Sequence, residues 1–165
     1  MRLWRKLKHL TAAGWLVRRA FRKDDLEAIA KAVSQSEQAH RGEICVVIEG
    51  PLPFSVLWHD TDCRSRAAEL FKRYQVDQTR EASGILIYVQ LLDRQVEILA
   101  DTGIAARVAP AEWAAICHDI EAAFAAGAWR KGLLDAVDRM TALLSMHFPA
   151  TTDNPDELDN RPKLL

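Results

Sequence analysis

Apolar positions follow two rhythms along this chain. Near-continuous blocks of Ile, Val and Leu over Glu43–Glu49 and Ile85–Leu91 predict central strands covered on both faces. A polar Asp93-Arg94 tip separates the second block from a third strand over Gln95–Ala100, so those two predict a hairpin. Elsewhere the spacing is helical. Leu26, Ile29, Ala30 and Val33 predict a helix capped by Asp24 or Asp25 and stopped near Gly42. Ala67, Leu70, Phe71 and Tyr74 mark a second helix from about Asp62 to Tyr74. Trp113, Ile116, Ile120 and Phe124 mark a third, opened by Pro110 and closed by Gly127. Leu133, Val137, Met140 and Leu144 mark a fourth from Trp129 to Met146. Gly50-Pro51-Leu52-Pro53 breaks the first strand, Phe54–Asp60 reads as a short helical turn or an insertion, and Val76–Glu81 reads as a polar loop.

A strand, a crossover helix and a second strand imply a parallel pair. The third strand returns antiparallel beside the second. With helices before and after, the expected fold is α/β, a three-layer α/β/α sandwich around a small mixed β-sheet. Residues 23–148 form that domain, residues 1–22 a basic amphipathic N-terminal arm, and residues 149–165 a polar tail that is extended or disordered, its Arg161–Leu165 end on the surface.

At 165 residues, 49% of them apolar, the chain is long enough to bury a core without staples. Cys45, Cys63 and Cys117 are scattered and odd in number, which points to buried thiols and a reducing compartment. A net charge of −1 conceals an asymmetry: residues 1–23 hold eight Lys and Arg and no acid, leaving 14 basic and 23 acidic side chains for the rest. An acidic domain with a basic amphipathic arm fits peripheral contact with an anionic membrane through residues 1–22. The competing expectation is that the arm packs on its own domain through Trp4 and Trp15. Arg18-Arg19 interrupt the arm too early for a secretory signal or a spanning helix. The protein is therefore expected in the cytoplasm, peripheral at the inner membrane face. No nucleic acid is expected as a partner, because the acidic remainder would repel phosphates.

Candidate chemistry is acidic. The topology carries Asp60, Asp62 and Asp93 to one end of the sheet, and Asp101 to the other end beside Glu43 and the Thr79–Ser83 loop. Converging carboxylates suit calcium or magnesium. Each acid also has a purely structural reading: Asp93 as a turn former, Asp62 as a helix cap, Asp101 as a turn residue. His59-Asp60-Thr61-Asp62-Cys63 lacks the second ligand pair a zinc site needs. Neither a Gly-x-Ser-x-Gly elbow, a Cys-x5-Arg loop nor a glycine-rich nucleotide cradle occurs.

Ser36-Glu37, Gly42-Glu43-Ile44, Gly84, Asp93-Arg94 and Asp101-Thr102-Gly103, followed by Phe124…Gly127…Gly132-Leu133, resemble in order and spacing the TPM domain family over residues 20–148. Ala82-Ser83-Gly84 departs from the Asn-Asn-Gly that relatives often carry. The resemblance implies an accessory or binding domain with an unknown protein partner, metal-binding and near a membrane. Its alternative implication is a low-efficiency, metal-dependent phosphatase acting on phosphomonoesters.

Overall fold

The computed structural model describes residues 2–12, 15–151 and 157–165. Its elements are α1 (Arg2–Thr11), α2 (Trp15–Ala20), α3 (Lys23–Ser36), β1 (Glu43–Glu49), α4 (Phe54–Trp58), α5 (Cys63–Arg73), a 3-10 turn (Val76–Gln78), β2 (Gly84–Gln90), β3 (Gln95–Ala100), α6 (Thr102–Ala105), α7 (Pro110–Ala125), α8 (Trp129–His147) and β4 (Lys163–Leu164). The four strands are ordered β3-β2-β1-β4. β1 runs parallel to β2, with Glu43 opposite Gly84 and Glu49 opposite Gln90. β3 returns antiparallel, pairing Gln95 with Gln90 and Ala100 with Ile85.

Strand alternation divides the core. Ile44, Val46, Ile48, Ile85, Ile87 and Val89 point to the layer of α3, α7 and α8. Cys45, Val47, Leu86 and Tyr88 point to α5, with Ala67, Leu70 and Phe71 above them. Every residue of β1 and β2 is buried, as their unbroken apolar runs require. The result is the expected three-layer α/β/α sandwich on a mixed sheet.

Several local details differ from the expectation. α3 begins after Arg22, and Asp25 acts from its first turn by accepting the Arg22 N–H at 2.9 Å, so neither acid is the cap itself. The same helix ends at Ser36, well before Gly42. Gly42 is small for a packing reason: a Cβ there would lie 2.4 Å from a Leu144 methyl carbon. Gly127, at φ +75°, does close α7. Lys163–Leu164 of the tail adds a fourth strand parallel to β1, and Leu158 and Leu165 pack on the α5 face.

Gly84 opens β2 beneath the 3-10 turn. A Cβ at this position would sit 2.1 Å from the Val76 carbonyl oxygen and 2.8 Å from its Cγ1. Backbone cannot yield as a flexible side chain does, so Gly84→Ala is expected to cost about 1–3 kcal/mol. Urea unfolding checks this; an unchanged midpoint would show that the turn gives way freely.

Candidate functional site

The sheet presents acids at both ends. At the hairpin end Asp93 lies in the β2–β3 turn, where α1 grips it. Arg5 Nε donates to Asp93 Oδ2 at 2.7 Å and His9 Nε2 to Oδ1 at 3.1 Å. His9 Nδ1 accepts the Leu52 N–H at 3.0 Å, which places the imidazole proton on Nε2. Lys8 donates to the Leu92 carbonyl and stands 3.8 Å from Asp93. Burial alone would raise the Asp93 carboxyl, but the hydrogen bonds from His9 and Arg5 outweigh it and hold it at about 2.

Asp62 caps α5, accepting the Ser65 N–H at 2.7 Å and the Ser65 hydroxyl at 3.1 Å, and these bonds lower its carboxyl. Asp60 sits just before, in the left-handed region at φ +54°. Asp60, Asp62 and Asp93 line one cleft of about 520 Å³ with Trp4, Arg5 and Lys8. The expected grouping is present, with Asp93 already paired to a guanidinium.

At the opposite end, Glu43, Gly84 and Asp101 form a row across β1, β2 and the exit from β3. The Asp101 N–H donates to the Gly84 carbonyl at 2.8 Å. Glu43 spends both carboxylate oxygens on the returning tail, accepting the Glu157 and Leu158 N–H groups at 3.2 Å each. Asp101 Oδ1 caps α6 through the Thr102 N–H at 2.7 Å. Its Oδ2 is buried and has no hydrogen-bond partner among the described residues. Nearby Lys72 pairs with Asp77 at 2.5 Å; that hydrogen bond is the main reason its ammonium is raised, and the Asp101 charge adds to it. Among the described residues no three His, Cys, Asp or Glu side chains converge to hold an ion. The arrangement offers a hard cation one unpartnered, buried carboxylate oxygen rather than a cage.

Burial pushes the thiols of Cys45, Cys63 and Cys117 up to about 11, 12 and 11, so none is a thiolate at neutral pH. Ser36 Oγ lies 2.6 Å from His40 Nε2, but His40 has 0% exposure and its Nδ1–H donates to the Gly42 carbonyl at 3.0 Å. Thr141 closes the cluster, 2.6 Å from Ser36. Ser36 and His40 are both buried. Sequence reading missed it, although Ser36 and His40 stand four residues apart.

The arm does pack on its own domain, but not as expected. α1 turns its basic side inward, and Trp4, Leu7 and Leu10 face solvent, Trp4 at 74% exposure. The Trp15 side chain lies outside the described residues. Phe54 and Trp58 of α4 are also exposed, their rings 5.7 Å apart, and Lys6 lies 5.9 Å over the Trp58 ring, which joins the two helices into one surface. Among the described residues no helix is long and apolar enough to cross a membrane.

Comparison with known proteins adds the family. The TPM domain model matches residues 18–143. The solution structure of BA42 from the psychrophilic bacterium Bizionia argentinensis is similar, with a TM-score of 0.75 and 29% identity, over 86% of this chain and 92% of that one. The N-terminal domain of a P. gingivalis protein shares the fold, with a TM-score of 0.63 and 18% identity, over 81% and 83% of the two chains. No curated protein gives a significant match. With the sheet order, the row of Glu43, Gly84 and Asp101 and this match in agreement, the chain belongs to the TPM domain family.

Proposed function

We propose that this protein is a noncatalytic TPM-type binding domain that works against an anionic membrane surface. The observation that carries the reading is the inverted docking of α1. An amphipathic helix on a globular domain normally buries its apolar stripe. Here Arg5, Lys8 and His9 are committed to the turn at Asp93, while Trp4, Leu7, Leu10, Phe54 and Trp58 are left in water. Aromatic side chains beside lysine and arginine are the composition that enters a headgroup region, with anionic lipid attracting the cations. Arg18 and Arg22 supply exposed charge on this segment, and Lys6 is half-buried beside Trp58.

Cosedimentation with phosphatidylglycerol vesicles tests this. The protein is expected to bind in low salt and to release as ionic strength rises. Leu7→Asp with Leu10→Asp is expected to weaken binding by about tenfold or more, since each buried leucine side chain contributes about 1.5–3 kcal/mol. Equal binding by the double variant overturns the reading.

A second reading, a divalent cation at Asp101, is supported by the unpartnered Oδ2. A cation that keeps most of its water needs only one or two carboxylates. Calorimetry with calcium and magnesium, against Asp101→Asn, decides it. The phosphomonoesterase alternative has less support, because the thiols are protonated and the Ser36–His40 contact is buried. Hydrolysis of a generic phosphomonoester that vanishes in Asp101→Ala would revive it.

A further inference from the structure

We infer that the outer edge of β1 is an exchangeable strand site: the chain's own tail, residues 157–165, fills it in cis, and the same segment of a second copy fills it in trans. β1 is seven residues long, and among the described residues the β4 ladder pairs with two of them, Val47 and Ile48. Backbone bonds hold the two ends of the tail. Leu165 donates its N–H to the Ile48 carbonyl at 3.0 Å and accepts the Gly50 N–H at 2.9 Å. At the other end Glu43 accepts the Glu157 and Leu158 N–H groups at 3.2 Å each, and the Glu157 carboxylate accepts the Arg80 N–H at 2.9 Å. Leu158 and Leu165 rest on the α5 face of the core. A sheet edge flanked by apolar seats is how extended peptides add a strand to a domain.

The hold is shallow. Not one of residues 157–165 is buried, whereas Cys45 and Val47 of the strand they cover are 3% and 0% exposed. Segments with few buried apolar contacts and solvent-exposed backbone bonds are the first to open. The family model ends at residue 143, so the tail lies outside the domain that the family shares. Once it leaves, β1 presents unpaired backbone groups and the two leucine seats, a template for another strand. The tail of a second copy fits that template by identity, because every contact made in cis has its equal in trans. Thr151 and Glu157 are six residues apart in sequence, a reach of at most about 20 Å, enough to cross to an adjoining copy. So short a tether keeps the cis tail at an effective concentration of about millimolar, and exchange therefore grows with protein concentration.

The test uses the full chain and a fluorescent peptide with the sequence of residues 157–165. Leu158→Asp with Leu165→Asp in the full chain is expected to loosen the cis tail, raising peptide affinity by about tenfold or more and speeding alkylation of Cys45 by a similar factor. Saturating peptide should slow that alkylation again. The wild type is expected to bind the peptide more weakly and also to gain protection of Cys45, which tests the site even where the double variant does not fold. A peptide carrying the same two changes should not bind. Light scattering should find a dimer fraction in the wild type that rises toward about millimolar concentration and is missing from the double variant. Absence of peptide binding by both chains, equal binding of the changed peptide, or alkylation of Cys45 that neither the variant nor the peptide alters overturns the strand site. Peptide binding by a chain that stays monomeric supports the site and overturns the second copy as its occupant. A dimer that persists in the double variant forms elsewhere and overturns the second copy as well.

Discussion

Arg66→Ala is expected to lower the unfolding free energy by about 3–5 kcal/mol, the range for removing one partner of a buried ion pair. For a domain of this size that corresponds to roughly 10 °C in Tm. Glu49, at the end of β1, points into the α5 layer and has 1% exposure. Arg66 on α5 grips it in fork geometry, Nη2 to Oε1 at 2.7 Å and Nε to Oε2 at 3.2 Å. Tyr88 of β2 donates to the same Oε2 at 2.6 Å. Burial, then the neighbouring Glu49 charge, push the Tyr88 hydroxyl up, so it remains a donor. Truncating Arg66 would leave the carboxylate in the core with one neutral hydrogen bond. Glu69, which also pairs with Arg66 at 2.8 Å, is on the surface and returns to water.

The triple change Glu49→Leu, Arg66→Met and Tyr88→Phe should restore most of the loss, because it removes every group that needs a partner. Urea titrations of the single and triple variants check both halves. A loss below about 1 kcal/mol for Arg66→Ala would show that the pair contributes no more than a surface salt bridge.

That cluster was not visible in the sequence, and the reason extends to the sites. Local period and turn chemistry mark β1, β3, α5, α7 and the Asp93-Arg94 turn, because each is decided within a few residues. Topology then allots the acids to the two ends of the sheet. Whether a carboxylate is spare is decided by partners far along the chain: Arg5 reaches Asp93 across 88 residues and the Glu157 amide reaches Glu43 across 114. The two-residue β4 is too short to carry a period. In α1 the pattern separates an apolar side from a basic side but says nothing of which one turns inward. In the structure the basic side is the inward one, because Arg5 and His9 both pair with the Asp93 carboxylate. Ala82 carries a similar lesson. It adopts φ +51° where relatives often have asparagine, so the departure noted in the sequence falls on a backbone position that favours asparagine whatever else that residue does.

Acid should loosen this fold through His40 well before it reaches the carboxylates. Burial lowers the His40 imidazole from 6.5 to about 4, only partly offset by its bond to the Gly42 carbonyl. The native state thus binds fewer protons than the unfolded chain in that interval, and stability falls as pH drops. The contribution is fully present above 6.5 and is lost progressively down to about 4. At about 1.36 kcal/mol per pH unit, roughly 3 kcal/mol is gone by the lower limit. Burial is the main cause, and the geometry adds to it: with Nδ1 donating to the Gly42 carbonyl, Nε2 accepts from Ser36, and a proton there would force that hydroxyl to turn toward Thr141. The Asp93 anchor of α1 responds later, since a carboxyl held at about 2 loses its contribution only as pH falls below the ordinary carboxylate range. Unfolding free energies of the wild type and His40→Gln, measured from pH 7 to 4, separate the two. The variant should start lower and run nearly level where the wild type declines, so parallel curves would remove His40 as the source of the acid sensitivity.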